Sequence, residues 1–223
     1  MNPASWCVAL LDSGMDATDV AVHAHCQVDA QGQVQEGSSV ADSLGHGTRI
    51  ARVLTSGGAT PRLLVAQVLD ERGRASAVGV AAAIRWAVQR GAGLIHMSLG
   101  LSQDREVLAG AVSEARDAGA ILLASTPARG ERSFPARYDG VIAATGDARC
   151  APDEISCLPG EPADFGGCAR SGAAGPASSG GASIGAAHVS RFILDHLPPG
   201  ASEREVRLAL SREATYRGRE HRA

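Results

Sequence analysis

Residues 6–14 read Trp6-Cys7-Val8-Ala9-Leu10-Leu11-Asp12-Ser13-Gly14. A short apolar run stopped by Asp-Ser-Gly is the pattern of a buried strand ending in a turn. The same punctuation recurs downstream. Thr48 to Thr55 reads as a helix stopped at Ser56-Gly57-Gly58, and Arg62 to Leu69 as the next strand. Val80, Ile84 and Val88 recur every four residues, one face of a helix that ends near Gly91. Gly93 to Ser98 is strand-like, Asp104 to Ala118 helical, and Ala120 to Ala124 and Val141 to Thr145 are further strands. Strands that alternate with helices imply an α/β fold, a mainly parallel sheet with helices on both faces. In such sheets a ligand sits outside the carboxyl ends of the strands.

From Asp147 to Gly180 the chain is rich in Gly, Pro, Ser and Ala without a period, which predicts one long loop region. Two helices follow, about Ser183 to Asp195 and Glu203 to Arg212. Residues 1–212 are thus expected to form one domain, and 213–223 a charged, frayed tail. A length of 223 residues suits one core.

Charge and cysteine usage exclude several classes. The chain has 21 basic and 24 acidic residues, net −3, which lacks the basic face of a nucleic-acid binder. No stretch approaches the roughly 18 apolar residues of a membrane span. Residues 1–5 carry no basic n-region and Val8 to Leu11 is too short for a signal-peptide core, so a cytoplasmic protein without signal peptide or pro-segment is expected. Five cysteines is an odd number for a disulfide framework. Cys150, Cys157 and Cys168 could hold zinc, but no Cys-x-x-Cys pair is present, so reduced thiols and no metal or other cofactor are expected. His23 and His25 suit an exposed strand or loop better than a metal pair.

Three short segments carry the chemistry: Asp12-Ser13-Gly14 at a strand end, Gly45-His46-Gly47-Thr48, and Gly181-Ala182-Ser183-Ile184 at a helix start. Singly each has a plain structural use: a turn former, a loop histidine, an N-cap serine. Together, Asp then His then Ser is one of the known chain orders of the acyl-transfer triad. In that chemistry Ser183 attacks, His46 takes its proton, and Asp12 fixes the imidazole tautomer.

On these segments the sequence resembles the subtilisin-like serine proteases, from about residue 6 to 212. Ser183 falls where the family has Gly-Thr-Ser-Met-Ala-x-Pro-His, with His188 and Val189 also in place. His96-Met97-Ser98-Leu99-Gly100 resembles the family's Asn-Met-Ser-Leu-Gly, and Phe134-Pro135-Ala136-Arg137-Tyr138 its Tyr-Pro-Ala-x-Tyr. The resemblance implies a subtilisin-like fold with catalytic Asp12, His46 and Ser183. It further implies that Ser98, Leu99 and Gly100 pair with the substrate backbone. Ala124, Ser125 and Thr126 would line the pocket for the residue before the scissile bond.

Two positions depart from the family. Ala128 stands where an Asn amide normally donates to the oxyanion, and Asn2, the one asparagine of the chain, cannot replace it in place. Ala182 replaces the Thr before the nucleophile. Ser125, Thr126 or Arg129 could substitute as donors, although Arg129 also suits a plain loop position. In subtilisin, losing that Asn costs about 10²–10³ in kcat, which leaves a working enzyme. A slow enzyme suits a dedicated processing role, with a leader-bearing peptide or small protein as partner and no nucleic acid or membrane. The resemblance extends to small subtilases that remove leaders from modified peptides and from peptides bearing quinone cofactors. A catalytically dead peptide-binding or chaperone subunit, and a peptide cyclase or ligase, are the alternatives.

Overall fold

The computed structural model describes residues 5–16, 19–37, 41–159, 162–170 and 181–219. Its strands form one sheet in the order β10-β8-β9-β7-β6-β5-β1-β4-β2-β3. The middle strand, β1 (Cys7–Asp12), is buried along its whole length. It pairs in parallel with β4 (Arg62–Gln67) on one side and β5 (Leu94–Met97) on the other. Chain order therefore reverses at β1, which puts Asp12 at the switch point where such sheets bind ligands. Beyond β5 follow β6 (Ile121–Ser125) and β7 (Val141–Asp147), both parallel. Beyond β4 come β2 (Val22–Val28), parallel, and the short antiparallel β3 (Val34–Glu36).

Alternation along β1 divides the core in two. Ala9 and Leu11 face α2 (Ala77–Gln89) and α3 (Glu106–Asp117), where Val80, Ile84, Leu108 and Val112 are buried. Val8 and Leu10 face α1 (His46–Leu54) and α4 (Ala182–His196), where Ile50, Leu54, Ile184 and Ile193 are buried. At roughly 25 cal/mol per Å² of apolar surface, burying each such side chain contributes about 1.5–3 kcal/mol. Helices on both faces agree with the expected α/β architecture.

α1 and α4 pack side by side and start at the same edge of the sheet, the carboxyl edge. Their far ends are tied at the opposite edge. There Ala59 N, just past α1, donates to Asp195 Oδ1 of α4 at 2.8 Å. Trp6 Nε1, at the start of β1, donates to Leu197 O at 2.9 Å. This parallel pairing puts the first turns of α1 and α4, which carry His46 and Ser183, at the same edge of the sheet.

The stretch Asp147 to Gly180 is not loop throughout. It holds β8 (Ile155–Cys157) and β9 (Phe165–Cys168), with β9 parallel to β7 and antiparallel to β8. Phe165-Gly166-Gly167-Cys168 reads as loop because of its glycines, but α4 lies directly on it. A Cβ on Gly167 would stand 2.5 Å from Gly185 O. Residues 171–180 lie outside the described residues. The expected frayed tail is also corrected in part. After α5 (Glu203–Glu213), β10 (Tyr216–Arg217) adds to β8, and Thr215 N donates to Ile155 O at 2.9 Å. The α5 start carries a capping box between Ser202 and Glu205, the local reason this polar segment is helical.

His23 and His25 lie on β2, and Arg62 donates to His23 Nε2 at 2.7 Å, so that ring nitrogen is occupied. Cys150, Cys157 and Cys168 are free thiols, and the described residues contain no cluster of three or more metal-type side chains. No helix among them is long and apolar enough to cross a membrane.

Candidate active site

The first turn of α1 is built by residues from outside it. Its N-cap, Gly45, has φ of 62°, a left-handed conformation that glycine adopts without strain, and no side chain with which to cap. The orphan amides are satisfied instead by two others. Ser13 Oγ accepts from Gly47 N at 3.0 Å, and Asp42 Oδ2 accepts from Thr48 N at 2.8 Å and Thr48 Oγ1 at 2.7 Å. Ser13 follows Asp12 directly, so this cap also fixes the end of β1 against the start of α1. His46 is the first residue of α1 and Asp12 the last of β1. The result is a hydrogen bond of 2.7 Å from His46 Nδ1 to Asp12 Oδ1, with Asp12 fully buried and His46 27% exposed.

Asp12 Oδ1 also accepts from Ser13 N at 2.6 Å. Asp12 Oδ2 is buried and has no hydrogen-bond partner among the described residues. The carboxylate's negative charge is therefore directed chiefly at the His46 ring. Ser13 Oγ has one proton, and the shorter contact, 2.7 Å to Asp42 Oδ1 against 3.1 Å to Asp12 Oδ1, assigns it to Asp42. Asp42 is thus a second buried carboxylate behind the first, held by three donors, while its backbone carbonyl accepts from Gly45 N at 3.0 Å.

Burial pulls the His46 pKa down, but the Asp12 hydrogen bond and charge outweigh it; Asp42 adds a smaller push upward and Arg49 opposes. The net result lies above the ordinary histidine value. A histidine that accepts a proton must first be neutral, so any activity that uses His46 as base should rise with pH through this raised pKa. Replacing Asp42 by Asn removes a negative charge, which lowers the His46 pKa. We therefore expect Asp42→Asn to move the acid limb of the kcat/KM profile to lower pH. About 1 kcal/mol of stability should go with the weakened cap, read by denaturant unfolding. An acid limb that stays in place in a folded variant would contradict the electrostatic role.

Ser183 is the second residue of α4, half-buried at the helix start. It is not the N-cap: Gly181 occupies that position, and no side chain caps the helix. The plain structural use of this serine is therefore unfilled, and its position among unpaired amides favours nearby negative charge. Close backbone approach holds α4 there, since a Cβ on Gly185 would meet Thr145 O of β7 at 2.2 Å.

A cleft of about 630 Å³ opens beside His46, lined by Ser98, Leu99 and Gly100 after β5 and by Leu44, His46 and Arg49 at the start of α1. The expected substrate-pairing residues and His46 thus share one cleft, with Asp12 buried behind the histidine. Beyond Gly100, Leu101 exchanges two backbone hydrogen bonds with Phe134, at 2.8 and 2.9 Å, which anchors the segment Phe134 to Tyr138 beside this edge. Ala124, Ser125 and Thr126 are buried at the carboxyl end of β6 and do not line this cleft. Thr126 Oγ1 is buried without a partner among the described residues. Ala128 lies in an exposed bend after β6, and its methyl group offers no donor.

His96 carries a role its sequence context did not reveal. It is fully buried, with Nε2 2.7 Å from Ser98 Oγ and Nδ1 2.9 Å from Ser190 Oγ. Burial, with the charge of His46 adding, pushes its pKa down to about 3, so it stays neutral. It ties the end of β5 to α4, two helical turns beyond Ser183. Ser13, Asp42 and Arg49 were missed as well. The available signals were Asp42 four residues before His46 and a glycine between them.

With this geometry in place, the family match is decisive: residues 4–219 match the subtilase family (Peptidase_S8). The chain belongs to the subtilase family. Among subtilases it is similar to the thermostable alkaline protease of Halalkalibacterium halodurans, at 32% identity over 61% of this chain and 40% of that protein. It is also similar to subtilisin DY of Bacillus licheniformis, at 30% identity over 61% of this chain and 54% of that protein. The match spans only about half, or less, of these relatives' lengths. In fold it is similar to the S41 psychrophilic protease, with a TM-score of 0.68 at 22% identity, over 94% of this chain and 82% of that one.

Proposed function

We propose that this subtilase is a serine endopeptidase in which Ser183 is the nucleophile, His46 the general base and Asp12 the group that orients it. The observation that carries the proposal is the 2.7 Å Asp12–His46 hydrogen bond beside a cleft walled by Ser98 to Gly100. Buried Asp12 keeps the proton on His46 Nδ1, so Nε2 presents its lone pair for the serine proton. The acyl-enzyme forms as Ser183 Oγ adds to the carbonyl and His46 passes the proton to the leaving amine. Water then reverses the sequence and releases the acid.

The substrate is proposed to be one peptide partner from which a leader is removed, in a cytoplasmic setting that the five free thiols suit. Maturation of the small subunit of quinohemoprotein amine dehydrogenase is the specific task favoured by the resemblance to small processing subtilases. Ala128 supports restrained chemistry, because the oxyanion lacks the usual side-chain amide. The same residue favours a second reading, a catalytically weak subtilase that binds peptides. Incubation of the purified protein with casein is expected to leave casein intact while a fluorophosphonate still labels the protein. Rapid casein digestion would overturn the dedicated role.

A further inference from the structure

The cleft beside His46 has a charge that the chemistry above does not use. Its described lining holds two arginines, Arg49 and Arg74, one histidine and no acidic residue, in a chain of net charge −3. The two arginines differ. Arg74 is gripped by Asp70 through Nε at 3.0 Å and a second nitrogen at 2.8 Å, and this pairing holds the Asp70 pKa down at about 2. Arg49 makes no side-chain hydrogen bond or ion pair among the described residues. It sits one turn after His46 on α1, half-buried, with its guanidinium near Gly45. Its charge reaches the ring, where it works against protonation of His46. An unbalanced cation therefore stands beside the proposed base, in a cleft that Leu44, Leu69 and Leu99 make partly apolar. Electrostatic attraction is stronger there than at an open surface.

Strand geometry says which part of a peptide would meet it. A substrate paired along Ser98 to Gly100 is extended, so successive side chains point to opposite sides. If the residue before the scissile bond faces the end of β6, the one before it faces α1. We propose that this second residue before the scissile bond is acidic in the preferred substrate, and that Arg49 selects it. The inference rests on the peptidase reading above and deepens it by naming a substrate class. An Asp or Glu carboxylate there pairs with Arg49 and offsets the repulsion between Arg49 and protonated His46. A Lys at the same position adds a third cation beside the other two.

The test uses fluorogenic acyl-tetrapeptide coumarin amides that differ only in this residue, as Glu, Gln or Lys. On the wild type, kcat/KM should favour Glu over Lys by about tenfold at low salt, and the ratio should shrink in 0.5 M NaCl as screening sets in. Arg49→Glu should invert the order. Equal rates for Glu and Lys, or a preference that survives Arg49→Glu, would overturn the proposal. If Arg49→Glu does not fold, the wild-type ratio and its salt dependence decide alone. Fluorophosphonate labelling separates the two levels of failure. A labelled protein without the preference removes Arg49 selection and leaves the peptidase, whereas an unlabelled, folded protein removes both.

Discussion

His46→Ala is expected to lower kcat by about 10⁶-fold, the size of loss seen in subtilisin when the histidine of the same constellation is removed. The reason lies in the proposed nucleophile, Ser183. A hydroxyl is a poor nucleophile until a base takes its proton during attack, and among the cleft-lining residues only His46 has a suitable ring nitrogen. His96 cannot replace it. Its pKa is pushed down to about 3 and both its ring nitrogens face serine hydroxyls in the core. Single-turnover hydrolysis of an activated ester measures the chemical step without interference from product release. A residual rate within tenfold of wild type would mean that another group serves as base.

Asp12→Asn is expected to cost about 10⁴-fold in kcat with little change in KM. Asn is nearly isosteric, so the cap made by Ser13 and Asp42 should keep α1 in place. What changes is the proton. An Asn amide turned toward His46 donates to Nδ1 and leaves the proton on Nε2, the nitrogen that must be free to accept. The imidazolium formed during reaction also loses its buried counter-charge. Because the Asp12 hydrogen bond and charge outweigh burial in raising the His46 pKa, that pKa should fall in the variant. The residual activity should accordingly reach its plateau at lower pH than in wild type. A plateau at unchanged pH would show that Asp12 does not govern the His46 proton.

The strands nearest the site were legible because burial wrote them plainly. β1, β4, β5, β6 and β7 are apolar runs closed by turn residues, and their parallel order followed from the helices between them. β9 was hidden for a physical reason: Gly166 and Gly167 are demanded by packing, where Ser156 Oγ and Gly185 O leave no room for a Cβ. A sequence reading takes two adjacent glycines as a turn. β2 was ambiguous because its outer residues are polar and exposed, and β10 is only two residues long. Within the site, Asp12 and His46 stood out by residue type and spacing. Ser13 and Asp42 did not, because each acts through backbone amides of α1 that no pattern of side chains announces. His96 was masked by a neighbouring motif, and its burial between Ser98 and Ser190 depends on a hydrogen bond to α4 that spans 94 residues of sequence.

The central claim is that the edge of the sheet shared by Asp12, His46 and the start of α4 activates Ser183. It is tested most directly by intact-mass measurement after treatment with a fluorophosphonate, wild type beside Ser183→Ala. One adduct on the wild type and none on the variant is the predicted result. A correctly folded wild type that takes no label, or a variant labelled to the same extent, would contradict it.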